Sequence, residues 1–341
     1  MVELICLEIC AGGGGQSLGL EQAGFTHEAV LELDPAACAT LRANRGSEWK
    51  VIEDDVRNLD GRAFSGIDLL SGGVPCPPFS IAGKQLGSED DRDLFPQALR
   101  LVMQAKPQAV LLENVRGLAA NRFSDYRAQV LEQLHRLGYR TWWGVVQASE
   151  HGVPQLRPRF VLVAILESKA RAFRWPNPSP LPTPTVGATL HDLMAARGWP
   201  GADLWRQRAA GIAPTIVGGS KKHGGPDLGP TRARAAWKLL GVDGLGVANE
   251  APDPDFPPDR LPKLTTRMVA RIQGFPDSWV FAGSKTAAYR QVGNAFPPPV
   301  AMALGAAIRT ALTCDDGSRQ PTRLDGVRPG IAVAMTQGAV Q

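Results

Sequence analysis

Little in this 341-residue chain marks a metal centre, a disulfide scaffold or a membrane span. Its five cysteines, at positions 6, 10, 38, 76 and 314, form no CxxC pair and no zinc spacing, so no metal site is expected. An odd cysteine count argues against a complete disulfide framework and points to a reducing, intracellular setting. No apolar run reaches the roughly 18 residues that span a bilayer. The opening Met1-Val-Glu-Leu4 lacks the basic start and small-residue cleavage site of a secretory leader. The expectation is a cytoplasmic protein with no membrane contact. There is no internal repeat. Aromatic residues make up only 6% of the chain, and the net charge of +4 permits an anionic partner without requiring one.

What the chain does have is glycine (37) and proline (28), which suit many turns and irregular loops between apolar runs. Leu4 to Ile9 reads as a strand, followed by the turn Ala11-Gly-Gly-Gly-Gly15 and a helix over Gln16 to Ala23. His27 to Leu33, Trp49 to Ile52, Ile67 to Leu70, Ala109 to Leu112, Tyr139 to Gln147 and Phe160 to Leu166 read as further strands. Helical spacing covers Leu94 to Ala105 and Phe123 to Leu137, and Pro35 opens another helix. Alternation of strand and helix implies an α/β fold with a mostly parallel sheet covered on both faces. Between about 187 and 262 little periodicity is sustained. Helices return at Thr265 to Ile272 and Val300 to Ala311.

Three places carry chemistry. The glycine turn can bring backbone N–H groups close to a polar cofactor, and Glu32 lies about twenty residues on, where a carboxylate can accept from ribose hydroxyls. Asp55 ends the third strand and can accept from an exocyclic amine. On spacing alone a nicotinamide, flavin or adenosyl cofactor fits, and so do glycines that merely form a tight turn. The second place is Ser71-Gly-Gly-Val-Pro-Cys-Pro-Pro-Phe-Ser80, which sets Cys76 between prolines after a strand. The third is Leu111-Leu-Glu-Asn-Val115, which sets Glu113 at the next strand end. Sheets of this class place function outside the carboxyl ends of their strands. A thiolate and an acid there suit covalent addition to a pyrimidine ring, with the acid meeting the ring nitrogen. The plainer alternative is a small buried cysteine and a surface acid. Cys6, Cys10 and Cys38 read as packing.

These blocks, in this order, resemble the DNA (cytosine-5) methyltransferases, especially the bacterial enzymes of restriction–modification systems. Glu8-Ile-Cys-Ala-Gly-Gly-Gly-Gly15 resembles the block that wraps S-adenosylmethionine, and Gly72 to Ser80 the nucleophile block. Glu113-Asn-Val115 resembles the acid block, Gln155-Leu-Arg-Pro-Arg159 the Gln-x-Arg-x-Arg block, and Arg290 to Pro297 the Gly-Asn block. The resemblance covers residues 3 to 166 and 263 to 310. It implies a Rossmann-like, S-adenosylmethionine-dependent domain plus a small target-recognition domain. Cys76 would be the nucleophile, Glu113 the contact to N3 and the exocyclic amine, Arg159 the support at O2, and Arg157 an organiser of the centre and nearby phosphates. Cofactor contacts would come from Glu8, Ile9, Cys10, Ala11, Gly12, Gly14, Gly15, Glu32, Leu33, Asp55, Val56, Pro75, Asn294 and Ala295. The product would be S-adenosylhomocysteine.

Residues 83 to 94 would close over the extruded base, with Ser80, Gln85 and Arg92 meeting DNA. Lys221, Lys222, His223, Arg232 and Arg234 would read or hold duplex DNA, and Thr215 to Val217 would approach the vacated space. Three departures stand out: Glu8-Ile-Cys10 where the family commonly has Asp-Leu-Phe, Pro77 where it has Gln, and Asp91-Arg-Asp93 where it often has Arg-Gly. Without the ring at Cys10, another apolar residue must cover the adenine. The implied organisation is a catalytic and cofactor-binding domain over 1–186, a target-recognition domain over 187–262, a return segment over 263–314 and a flexible tail over 315–341. The implied partner is double-stranded DNA, met by a monomer in the bacterial cytoplasm at the nucleoid. A cognate endonuclease would act in the same system without an obligate complex. The alternatives are a tRNA cytosine-5 methyltransferase, whose usual Cys-Phe-Thr triplet is absent, and a catalytically silent DNA-binding protein.

Overall fold

The computed structural model describes residues 2–75, 93–218 and 226–314. Among these, seven strands form one sheet: β1 (Leu4–Ile9), β2 (Phe25–Glu32), β3 (Lys50–Glu53), β4 (Leu69–Gly73), β5 (Ala109–Val115), β6 (Tyr139–Gln147) and β7 (Pro158–Leu166). Their order is β3-β2-β1-β4-β5-β7-β6. The first five strands are parallel, and β7 runs antiparallel to both β5 and β6. The order reverses between β1 and β4. A crevice opens at such a switch point, outside the carboxyl ends of the strands.

Alternating side chains of the central strands feed two separate cores. Leu7, Ile9, Leu31, Leu70, Val110 and Leu112 pack on one face beneath α3 (Phe95–Ala105) and α4 (Ser124–Arg136). Cys6, Leu69, Ala109 and Leu111 pack on the other beneath α10 (Pro298–Thr313), whose Val300, Leu304, Ile308 and Leu312 form one stripe. The two faces therefore follow from the period-two pattern of strands that are apolar on both sides. Around the crevice stand α1 (Gly15–Gln22), α2 (Pro35–Arg45) and α9 (Lys285–Asn294). Asp34 caps α2 by accepting from the amides of Ala36 and Ala37, just ahead of Pro35 in the first turn. Ser284 caps α9 by accepting from Ala287 N–H.

The stretch from 187 to 262 is more regular than its sequence suggests. It holds most of α5 (Val186–Ala195), together with α6 (Ala202–Arg208) and α7 (Thr231–Leu239), and is followed by α8 (Thr266–Ile272). These helices are short, and Gly198, Pro200 and Gly201 interrupt them, so no periodic pattern lasts long enough to register. Nor does the core stop at residue 186. Leu190, Met194, Trp205 and Trp237 belong to one buried cluster that also includes Val30, Leu41 and Trp49 of the strand-and-helix half. No helix among the described residues is long and apolar enough to cross a membrane.

Candidate active site

A cavity of about 690 Å³ opens at the switch point. One end is formed where β2 and β3 finish, the other where β4 and β5 finish, and α9 walls it from above.

The β1–α1 turn builds the floor. Cys10, Gly12 and Gly14 all adopt positive φ (54°, 55° and 83°), so the chain reverses sharply into α1. Glycine tolerates this, whereas Cys10 is a strained position. Gly15 has no room for a side chain, since a Cβ would lie 2.2 Å from the Phe296 carbonyl oxygen. Of the expected cofactor residues, Glu8, Cys10, Ala11 and Gly12 line the cavity. Ile9, Gly14 and Gly15 do not: Ile9 is fully buried in the α3-side core, Gly14 packs toward Trp279 and Leu41, and Gly15 toward Phe296. Glu8 is itself buried, 3.4 Å from His27 Nε2, and burial raises its carboxyl pKa while His27 pulls it down. Burial and the nearby Glu32 carboxylate push the Cys10 thiol up to about 12, so it stays a neutral thiol.

At the β2 end, Glu32 accepts three backbone hydrogen bonds: from Gly12 N–H at 2.7 Å, Leu33 N–H at 2.9 Å and Asp34 N–H at 2.8 Å. The carboxylate thereby ties the glycine turn to the start of α2. Asp55 accepts from Arg57 N–H (2.9 Å) and from the Arg57 guanidinium (2.8 Å). Asp54 accepts from Asp55 N–H and Asn58 Nδ2. Leu33, 62% exposed, and Val56 supply apolar surface beside these acids.

The other end holds Glu113. Antiparallel pairing of β5 with β7 sets Val115 opposite Arg159, which brings the Arg159 Nε to 2.8 Å from Glu113 Oε1. Burial pushes the Glu113 carboxyl above its ordinary range, against the downward pull of Arg159 and then Arg157, and the net direction is upward. Asn114 donates to the Val74 carbonyl at 2.7 Å, and Leu94 N–H donates to the Pro75 carbonyl at 3.2 Å. Both bonds pin the strand end that leads toward Cys76. Cys76 itself, with Ser80, Gln85 and Arg92, lies outside the described residues, as do Lys221, Lys222 and His223.

Arg157, which the resemblance makes an organiser of the centre and nearby phosphates, faces protein carbonyls. It is fully buried and donates to Ile216 O (2.5 Å), Gly293 O (2.7 Å) and Ala295 O (2.9 Å). Burial drives its guanidinium pKa well below the ordinary range. Two residues from Arg159, it clasps the 213–218 segment to the end of α9. Around it, Gln155 Nε2 donates to Gln273 Oε1 and Gln273 Nε2 to Ala295 O (2.7 Å).

On α9, Ala287, Arg290, Gln291 and Asn294 line the cavity. Gln291 accepts from Thr40 Oγ1 at 2.6 Å and donates to Ala282 O at 3.0 Å, locking α9 to α2. The resemblance places Asn294 and Ala295 of this block at the cofactor but gives Gln291 and Arg290 no role of their own. The only available signal was their place beside Gly293-Asn294. Arg232 and Arg234 sit on α7 away from this cavity, Arg232 exposed and Arg234 donating to Thr231 Oγ1. Among the described residues no cluster of three or more His, Cys, Asp or Glu could hold a metal ion.

The C-5 cytosine-specific DNA methylase family model matches residues 4–310. The type II methyltransferase M.NaeI of Lentzea aerocolonigenes is 57% identical over 322 residues, covering 94% of this chain and 78% of that one. M.NgoMIV of Neisseria gonorrhoeae is 50% identical over 313 residues, covering 91% and 99%. In fold, the chain is similar to a DNMT2 variant of Spodoptera frugiperda, with a TM-score of 0.65, 18% identity and coverage of 90% and 100%. The S. pombe Dnmt2 methyltransferase gives 0.62, 18%, and coverage of 92% and 100%. A match running from the first strand to the last helix, with relatives this similar over nearly the whole chain, makes it a member of the C-5 cytosine-specific DNA methylase family and a DNA cytosine-5 methyltransferase.

Proposed function

We propose that the chain is the modification enzyme of a type II restriction–modification system, methylating cytosine at C5 within a defined duplex site. The observation that carries the residue assignment is that one cavity joins two unlike ends. One is an acid-and-apolar end at Glu32, Asp55, Leu33 and Val56; the other is the Glu113–Arg159 pair.

The first end fits S-adenosylmethionine, the cofactor this family uses. Glu32 and Asp55 retain acceptor capacity for hydroxyls and an amine, and Leu33 and Val56 can cover a purine where Cys10 supplies no ring. Asn294 and Ala295 would border the amino-acid end. When bound, the cofactor supplies an electrophilic methyl group. The chain's residues do the rest. C5 of cytosine is a poor nucleophile. Addition of the Cys76 thiolate at C6 makes the ring an enamine, with charge developing at N3 and O2. Protonated Glu113 donates at N3, and Arg159 meets O2. Loss of the C5 proton to water would then re-form the C5–C6 double bond and expel the Cys76 thiolate. Burial of Glu113 favours the protonated form needed for this. The base must leave the stack to reach the cavity. Ser80, Gln85, Arg92, Lys221, Lys222, His223, Arg232 and Arg234 are assigned to DNA, and the 187–262 stretch to target reading. A monomer acting beside a cognate endonuclease, without an obligate complex, completes the reading.

The test is methyl transfer from labelled S-adenosylmethionine to a complex plasmid, with tRNA in parallel and Cys76→Ser as control. The modified DNA would be mapped base by base. Recurrent, Cys76-dependent 5-methylcytosine at one site is the expected result. Transfer to tRNA alone, or transfer that survives Cys76→Ser, contradicts the reading.

A further inference from the structure

The cavity is rich in carboxylates, and each already has a partner: Glu8 with His27, Glu32 with three amides, Asp34 with the start of α2, Asp54 and Asp55 with their neighbours, Glu113 with Arg159. Two of the three arginines on its wall, Arg57 and Arg159, are paired with these acids. Arg290 is the exception. It lines the cavity half-buried, and its side chain makes no hydrogen bond or ion pair among the described residues.

Its backbone is held firmly. Tyr289 Oη donates to Asp227 O, Gln291 bonds to Thr40 and Ala282, and Arg157 grips Gly293 O one turn further on. The neighbouring Gly218 fits so closely that a Cβ would lie 2.2 Å from Asn294 Oδ1 and 2.8 Å from Arg290 O. Packing of α9 therefore fixes the backbone that carries this cation, and no acid among the described residues holds its head group. A guanidinium is permanently charged, presents a planar fork of donors, and matches carboxylate or phosphate geometry.

We propose that Arg290 is an anion-docking residue, receiving an oxyanion of a ligand that enters this cavity. Resting on the methyl-transfer reading, two sources bring that chemistry: the carboxylate at the amino-acid end of the cofactor, and a phosphate beside the extruded cytosine. Both would find in Arg290 a partner that needs no existing ion pair to break.

Calorimetry separates the sources. S-adenosylhomocysteine and its decarboxylated analogue would be titrated into the wild-type chain, Arg290→Lys and Arg290→Ala. The salt dependence of binding to a duplex bearing the mapped site would be measured for the same three proteins. If the carboxylate docks there, Arg290→Ala weakens S-adenosylhomocysteine by about ten- to a hundred-fold. The decarboxylated analogue then binds all three proteins alike, and Arg290→Lys recovers part of the loss. If a phosphate docks there, S-adenosylhomocysteine affinity is unchanged and the slope of log K against log salt falls by about 0.9 in Arg290→Ala. Both quantities matching wild type, within twofold in affinity and with the same slope, overturn the proposal. Arg290→Lys, which keeps the charge and most of the bulk, supplies the comparison if the alanine variant does not fold. Wild-type protein that binds no S-adenosylhomocysteine would instead defeat the cofactor reading and the carboxylate source with it, and an unchanged salt slope in Arg290→Ala would then overturn the proposal.

Discussion

The two ends of the cavity each present a glutamate, and the two are held in opposite ways. Glu32 accepts from three backbone N–H donors and keeps further lone pairs free to accept with. Glu113 is buried against one arginine, and there burial outweighs the cation. The first arrangement suits a permanent acceptor for hydroxyls. The second suits an acid able to hold a proton and release it toward a ring nitrogen. On the proposed reading, the same side chain would serve binding at one end and chemistry at the other, according to what surrounds it.

That contrast can be broken from the chemical end first. Glu113→Gln keeps the shape but cannot cycle a proton, and turnover should fall by about 10²- to 10⁴-fold. Single-turnover methyl transfer measures this, and a rate within threefold of wild type would mean another donor serves N3. At the binding end, Glu32→Gln leaves an amide where three N–H donors converge. Its NH₂ group cannot accept, so at least one donor loses a partner. Cofactor affinity should drop about ten- to a hundred-fold by calorimetry, and a smaller change would mean that Glu32 only braces the turn.

A pH profile sharpens the contrast further. Glu113 must be protonated to donate, so the rate falls as pH rises through its raised pKa. Arg159 pulls that pKa down. Its removal therefore lets the proton persist to higher pH, and Arg159→Ala should shift the falling limb toward alkaline pH while lowering the maximum rate. An unmoved limb would assign that titration to another group. The smallest expected effect on chemistry comes from Arg157. Arg157→Met strands the carbonyls of Ile216 and Gly293, each worth roughly 1–3 kcal/mol when left unsatisfied, and leaves Ala295 O with Gln273 alone. The loss should register in thermal unfolding, and because Arg157 also pulls the Glu113 pKa down, the falling limb of the surviving activity should move toward alkaline pH, by less than in Arg159→Ala.

Much of this was legible in the chain. Strands β1 and β6 fall where apolar runs and their flanking turns place them, and the carboxyl-end rule puts Glu32 and Glu113 at one crevice. Arg157 shows the limit. Two arginines spaced by one residue look alike in sequence, but Arg159 lies in β7 opposite Val115 and reaches Glu113, whereas Arg157 precedes the strand and is buried against the end of α9. Which one meets the cavity depends on a segment more than a hundred residues away. Of the α9 wall the resemblance marks Asn294, while Arg290 and Gln291 were hidden for the same reason. Residues 186–239 were hidden for a different one: their helices are too short for periodicity, and their apolar anchors are single tryptophans such as Trp205 and Trp237.

The most direct test of the two-ended cavity is a crossed measurement on Glu113→Gln and Glu32→Gln. Each variant would be assayed for single-turnover rate at saturating cofactor and for S-adenosylhomocysteine affinity. Separate ends predict that Glu113→Gln loses rate and keeps affinity, while Glu32→Gln loses affinity and keeps most of its rate once saturated. Both variants losing both quantities in the same proportion would contradict the division of labour.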